Sequence, residues 1–290
     1  MTGIIIIDKP EGWTSMDVCA KLRRVFGEKR IGHGGTLDPM ATGVLPVFVG
    51  RATRAVALFE NAEKEYIAGL RLGVTTTTQD SSGEVLSQQP VSVSPAQLEA
   101  VLARFTGPQQ QLPPMYSAVK VNGRRLYALA REGREVERQP RQITVHALEL
   151  LSGGGADYTL RVRCSKGTYV RTLCADIGDA LGCGGCMSSL RRTAAGCFTL
   201  EQAVTLDALL DLPPEQAAAQ LRPVDTLFAG LPAVRLDRRD AGRCRNGADV
   251  PARGQAAGDC RVYGPDGEFL CLARSDGRML HTVRSFFEVN

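Results

Sequence analysis

Few residues have types and spacing suited to chemistry. Asp38 ends the glycine-rich segment Gly32-His33-Gly34-Gly35-Thr36-Leu37 and stands directly before Pro39, which biases it to extended geometry. A carboxylate so placed can serve as a base or a nucleophile. Residue type alone nevertheless favours a turn or capping role for a loop aspartate. Cys183-Gly184-Gly185-Cys186 has the spacing of half a zinc site or of a redox pair. No second such pair and no nearby histidine pair completes it, so these thiols are read as incidental to a turn. His33, His146 and His281 are scattered, and no dinucleotide glycine motif, phosphate-loop lysine or Ser-His-Asp signature occurs. Neither metal nor cofactor is expected, which leaves Asp38 as the candidate reactive group.

A loop carboxylate needs packed elements on both sides. Gly3 to Ile7 reads as a buried strand, and Thr14-Ser15 with Asp17 announces a helix whose inner face is Val18, Leu22 and Val25 or Phe26, closed by Gly27. Gly32 to Gly35 is expected to be irregular. Val44 to Val49 is strand-like, with Pro46 as a kink or an edge position. Lys64 to Leu72 alternates, with Tyr66, Ala68, Leu70 and Leu72 on one face. Thr75 to Gly83 is a polar loop carrying Asp80, and Ser94-Pro95 starts a helix with the stripe Leu98, Val101, Leu102 and Phe105. A strand is expected over Tyr116 to Val121, turned by Asn122-Gly123. A hairpin is expected from Ile143 to Leu151 and Tyr158 to Cys164 around Gly153-Gly154-Gly155, then a helix from about Thr168 to Leu181.

Pro213-Pro214 and the alanines 217–219 break the pattern, and short strands after Pro232 are punctuated by Asp266-Gly267 and Asp276-Gly277. The expected organisation is an α+β domain over 1–211 with a mixed, largely antiparallel sheet, a linker over 212–230, and a small, mostly β module over 231–290. At 290 residues, 43% apolar and 23% charged, the chain can bury a core for each. The net charge of +4 is modest, but Lys21, Arg23, Arg24, Lys29 and Arg30 crowd one region and Arg235, Arg238, Arg239, Arg243 and Arg245 another. Two such patches suit a polyanion lying across two domains, and equally suit solvated helix faces. The nine cysteines, with no basic leader and no apolar run near 18 residues, point to the cytosol and to no membrane. The absence of heptads or a large apolar stripe suggests a monomer.

Residues 32–47, from Gly32-His33-Gly34-Gly35-Thr36-Leu37-Asp38-Pro39 on to Val47, closely resemble the catalytic motif of the TruB family of tRNA pseudouridine 55 synthases. The resemblance continues through Asp8-Lys9-Pro10-Glu11-Gly12-Trp13-Thr14-Ser15, Lys64-Glu65-Tyr66, Pro113-Pro114-Met115-Tyr116-Ser117-Ala118 and Cys164-Ser165-Lys166-Gly167-Thr168-Tyr169-Val170-Arg171. It implies a pseudouridine synthase catalytic fold, and for residues 231–290 a PUA-like, barrel-like RNA-binding domain. It implies Asp38 as catalytic carboxylate, Tyr66 as a base-stacking residue and proton acceptor, and Arg171 as the charged partner of Asp38. His33, Tyr169 and Leu190 would line a pocket around an extruded uridine. Thr77 stands where the family usually has an acidic residue, which leaves Asp80 as the functional acid of that loop. The implied partner is the T arm of tRNA, and the implied reaction is isomerisation of a uridine by base flipping, glycosidic cleavage, base rotation and reattachment through C5, with folding assistance to tRNA as an added activity. An RNA-binding protein without catalysis and a nucleoside-cleaving glycosylase are the rival readings. Asp38 together with Tyr66 and Arg171 argues against the first, and release of free uracil would mark the second.

Overall fold

The run Ile4 to Ile7 is apolar at every position because its strand separates two cores. In the computed structural model, which describes residues 1–287, β1 (Gly3–Lys9) turns Ile5 and Ile7 into the larger core and Ile4 and Ile6 into a second one. A strand covered on both faces reads as a continuous hydrophobic run rather than an alternating one. After β1 comes α1 (Ser15–Phe26), whose Thr14 and Asp17 form a reciprocal capping box and whose end is the left-handed Gly27 at φ 59°. Val18, Leu22 and Phe26 are buried as their spacing requires.

The ten-stranded sheet is mixed and largely antiparallel. Its main path runs Val204–Thr205, β1, β3 (Thr42–Val49), Gly185–Ala195, β4 (Lys64–Leu72), Asp157–Cys164, Arg141–Gly154 and Gly107–Gln111. Only the pairs of β1 with Val204–Thr205 and of β3 with Gly185–Ala195 are parallel. β2 (Ile31–His33) lies off this path on β3, so Gly32 and His33, expected to be irregular, are in a strand with Gly32 opposite Phe48 and His33 opposite Val47. Pro46 is correspondingly not at an edge: β1 pairs along one side of it, and Gly34 N–H donates to its carbonyl on the other at 2.8 Å. A strand residue's amide and carbonyl point the same way, so the missing N–H of Pro46 faces Gly34, one residue past the end of β2, and only the reciprocal bond of that last pair is forgone.

β3 therefore has two different neighbours on one side. Gly185–Ala195 pairs with it only at Thr42 and Gly43, and β2 only at Val47 to Val49. Residues 34–41, which leave β2 and re-enter β3, run out of this split in the sheet.

Three further expectations change. Tyr116 to Val119 is not strand, and only Lys120–Val121 pairs, with Arg124–Arg125, across the Asn122-Gly123 turn at φ 50° and 80°. The hairpin turn lies at Gly155-Ala156, since Gly153 and Gly154 still pair with Tyr158 and Asp157. Residues 212–230 fold back onto the first domain: Ala217 is buried in its core, and Ile4 and Arg222 exchange backbone hydrogen bonds of 2.8 and 2.7 Å.

The C-terminal module is a curled five-stranded sheet with the helix Arg238–Arg245 and its own core around Val234, Val250, Val262 and Leu270. Gly267 and Gly277 adopt φ 83° and 91° at the two turns marked by the sequence. Leu272 and Phe286 extend the second core to this module, where Phe228, Phe269 and Phe286 cluster against Val224. Arg54 donates across the junction to the Ser285 carbonyl at 3.1 Å.

Candidate active site

Asp38 is fixed by what holds its neighbours. On the preceding side, Ser15 Oγ at the start of α1 accepts from Leu37 N–H at 2.9 Å and donates to the Leu37 carbonyl at 3.2 Å. On the following side, the Pro39 carbonyl accepts from Gly12 N–H at 2.8 Å and from Lys9 Nζ at 3.2 Å, and Ala41 N–H donates to the Asp38 carbonyl at 3.0 Å. Lys9 is wholly buried and also donates to the carbonyls of Pro10 and Trp13 at 2.8 and 2.6 Å. Burial lowers its pKa to about 8, against the raising effect of Asp38.

The loop's other flank is held by Arg192, only 1% exposed, which donates to the carbonyls of Val44 at 2.6 Å, Gly35 at 3.1 Å and Thr36 at 3.5 Å. Gly43 pairs with Arg192 across the split at φ 99°, and a Cβ there would lie 2.2 Å from the Arg192 carbonyl. No residue but glycine fits that position without moving the strands.

Arg171, in the helix Val170–Ala180, reaches Asp38 Oδ2 at 3.2 Å and donates to the Tyr116 carbonyl at 2.9 Å. Its other terminal nitrogen lies 3.8 Å from Asp80 Oδ2. Asp80 is buried and bound inward, accepting from Thr78 Oγ1 at 2.7 Å and from Ser82 N–H at 3.0 Å. Gln79, at φ 65°, turns the loop so that its side chain accepts from Thr172 Oγ1 on the Arg171 helix at 2.7 Å. Arg171 is thus buried between two carboxylates of unequal exposure, 37% for the Asp38 side chain and 5% for that of Asp80. Asp80 meets Arg171 from the buried side, and Asp38 from the side open to solvent.

Burial pushes the Asp38 carboxyl above its ordinary range; Arg171 is the chief opposing influence, Asp80 adds to the rise, and Lys9 offsets it. Burial also raises the Tyr66 phenol against the opposing charge of Arg192, so Tyr66 is neutral at neutral pH. Burial, then Arg192, lowers His33, so the imidazole is neutral as well, and its Nδ1 is buried without a hydrogen-bond partner. The site therefore holds one carboxylate open to a ligand, with neutral aromatic and imidazole groups beside it.

The sheet register brings together residues far apart in sequence. Tyr66 lies opposite Arg192, and Leu190 opposite Ala68, on one face of adjacent strands. Tyr66, Leu190 and Leu37 share the larger core. Tyr169 precedes the Arg171 helix, its peptide held by Gln111, which accepts from its N–H at 2.8 Å and donates to its carbonyl at 3.1 Å. Asp38, Arg171 and Asp80 are thus brought into contact, and Tyr66 and Leu190 onto one face of neighbouring strands. The sequence did not assign roles to Lys9, Ser15, Gln111 and Arg192. Of these, Lys9 and Ser15 carried a signal, since both lie in the Asp8 to Ser15 block that resembles the family.

Cys183 and Cys186 are both buried, in the turn and strand that follow the Arg171 helix. Among the described residues no group of His, Cys, Asp and Glu is arranged to hold a metal ion, and no helix is long and apolar enough to cross a membrane.

Residues 23–170 match the TruB family pseudouridylate synthase N-terminal domain, and residues 171–229 match the tRNA pseudouridylate synthase B C-terminal domain. A tRNA pseudouridine synthase B of Ralstonia nicotianae is 46% identical, over 97% of this chain and 93% of its own length. One of Burkholderia mallei is also 46% identical, over 98% and 96%. Among solved structures, an H/ACA RNP bound to a substrate RNA containing 2'-deoxyuridine superposes with a TM-score of 0.75 at 27% identity, over 99% of this chain and 85% of the other. A Cbf5-Nop10-Gar1 complex gives 0.74 at 29% identity, over 98% and 85%. The agreement of both family domains, whole-length relatives and fold places this chain in the TruB family of pseudouridylate synthases.

Proposed function

We propose that this chain isomerises uridine 55, in the T loop of tRNA, to pseudouridine, with Asp38 as the essential carboxylate. One observation carries the reading: the partly exposed Asp38 carboxylate is held on the buried Arg171 guanidinium, with Tyr66 and Leu190 on a pair of neighbouring strands, in a chain 46% identical to proteins named tRNA pseudouridine synthase B. The reaction breaks the bond from the sugar to N1, turns the uracil and joins C5 to the same sugar carbon. The base loses a proton at C5 and gains one at N1, so atoms and electrons balance without a redox cofactor or metal.

A T-loop base is stacked and must first be extruded. Tyr66 offers a ring face to the uracil, worth roughly 1 to 3 kcal/mol by comparison with base stacking elsewhere. His33, neutral and at the end of β2, occupies the space the base leaves, while Tyr169 and Leu190 close the pocket. Attack on the sugar, attack on the base and removal of a sugar proton all begin from the ionised carboxylate. Arg171, at 3.2 Å, favours that form against desolvation, and Asp80 holds Arg171 in place from the buried side. Residues 1–211 form the catalytic domain, and 231–290 a PUA-like RNA-binding domain whose exposed Arg235, Arg238 and Arg239, with Lys21, Arg24 and Lys29 on the first domain, take phosphates. The enzyme works in the cytoplasm as a monomer on the T arm, and assistance to tRNA folding is an added activity of the same surface.

The test is incubation of unmodified tRNA with the wild type and Asp38→Asn, followed by carbodiimide detection of pseudouridine at the T-loop uridine. Product from the wild type alone is expected, with both proteins binding tRNA. Product from both or from neither rejects the assignment, and free uracil would identify a glycosylase instead.

A further inference from the structure

Where a sheet splits, main-chain carbonyls lose their ladder partners, and a buried one must find another donor. The split at β3 has such a donor. Gly185–Ala195 leaves β3 after Gly43, and the Val44 carbonyl, next along the strand, accepts from Arg192 Nε at 2.6 Å. The same guanidinium takes the carbonyls of Gly35 and Thr36 on the outgoing arm of the loop, at 3.1 and 3.5 Å. Its acceptors thus lie on both sides of Asp38. It is 1% exposed, and no carboxylate among the described residues forms an ion pair with it. A guanidinium cannot shed its charge at this depth, so the carbonyl dipoles are what hold it there.

We infer that Arg192 is a positioning residue for the uridine isomerisation: its guanidinium closes the split in the sheet and fixes the main chain on both sides of Asp38, so that its loss slows the chemical step and leaves tRNA binding intact. The inference rests on the isomerase reading for its kinetic consequence, but the clamp itself is independent of it. The planar fork of arginine spans acceptors on two segments, whereas a lysine ammonium is a single point with a shorter reach. Methionine fills much of the same volume and donates nothing. A shift of about 1 Å in a reacting group can cost about 100-fold in rate.

The experiment compares Arg192→Lys and Arg192→Met with the wild type, well below their melting temperatures. Single-turnover rate and tRNA Kd are measured against pH, with hydrogen exchange of the residue 34–41 amides in the free protein. Arg192→Met is expected to lose about 100-fold in rate and Arg192→Lys about 10-fold, with Kd within about twofold. The acid limb of the rate profile moves less than in an Arg171 variant, because Arg171 is the chief charge opposing the rise of Asp38. The loop amides exchange faster in both variants while those of α1 do not. A rate within about twofold of wild type in a folded variant, a Kd that rises by the factor the rate falls, or unchanged loop exchange overturns the inference. If Arg192→Met does not fold, Arg192→Lys decides by the same readings. A wild type inactive on tRNA would sink the isomerase reading, and the exchange comparison would still decide whether Arg192 clamps the loop.

Discussion

The loop over residues 34–41 and the C-terminal module use cationic side chains in opposite ways. Around the loop, Lys9 and Arg192 are buried and bound to main-chain carbonyls. In the module, arginines lie near the surface on carboxylates: Arg253 on Asp237, Arg245 on Glu268, and Arg274 on Asp259. Water and salt can replace an exposed pair, which is worth roughly 0 to 1 kcal/mol. Nothing replaces a buried donor, and each carbonyl left unpaired costs about 1 to 3 kcal/mol. The first region should tolerate no neutral substitution and respond little to salt. The second should show the reverse.

Arg171→Ala tests the first half of that contrast most severely. It leaves Asp38 and Asp80 facing each other without the cation between them, at a cost of about 3 to 5 kcal/mol of stability. Turnover should fall by about 100-fold to 1,000-fold while tRNA binding changes by no more than a few-fold. The pH profile gives the sign independently. Burial already raises Asp38, so in the wild type activity is lost as pH falls through a value above the ordinary aspartate range. Arg171 is the largest opposing influence, so its removal moves that limb to still higher pH. Equal losses in turnover and in binding, or an unmoved limb, would break the contrast.

Arg238→Ala combined with Arg239→Ala tests the other half. Both side chains are exposed at the start of the helix Arg238–Arg245, without ion-pair partners among the described residues. The double variant should bind tRNA several-fold more weakly and turn over at the wild-type rate once saturated. The slope of log Kd against log salt should fall by at most about 2. A loss in turnover at saturation would mean that this module does more than hold phosphate.

The same contrast explains what could be read from the sequence. α1 was legible because Thr14, Asp17 and Gly27 act within one turn of the helix they bound, and β4 because its alternation meets one core. Ser94 and Pro95 marked the helix Pro95–Arg104 in the same local way. The strand Gly185–Ala195 was not expected at all, since Ser188, Ser189, Arg191 and Arg192 have little intrinsic strand preference and are held by pairing with β4 and β3. β2 escaped notice for a like reason, its three residues gaining order from β3 alone. Tyr116 has aromatic strand character, but its carbonyl is taken by Arg171. Asp38, Tyr66 and Arg171 could be named from motifs. Lys9 and Arg192 gained no role, because a lysine or arginine reads as surface until the topology surrounds it with carbonyls.

The smallest expected effect lies at His281, the module's exposed pair in its simplest form. Its Nδ1 lies 2.9 Å from Asp249 Oδ2 and its Nε2 3.2 Å from Asp276 Oδ2. Hydrogen bonds to Asp276 and then Asp249 raise its pKa. Asp276 is pulled down to about 2, first by the backbone amides of Met279 and Arg278 and then by His281. The raised histidine stabilises the fold fully below its unfolded pKa of about 6.5, and the contribution is lost as pH rises through the folded value. The depressed aspartate stabilises above its unfolded range, and that contribution is lost as pH falls through about 2. Both are present between those limits, so His281→Gln should lower Tm slightly near pH 5 to 6 and not at about pH 9. Added salt should shrink the difference, and turnover should not change. A Tm difference that persists at alkaline pH and in high salt would show that His281 contributes packing rather than exchangeable charge, and the line drawn between the two regions would have to move.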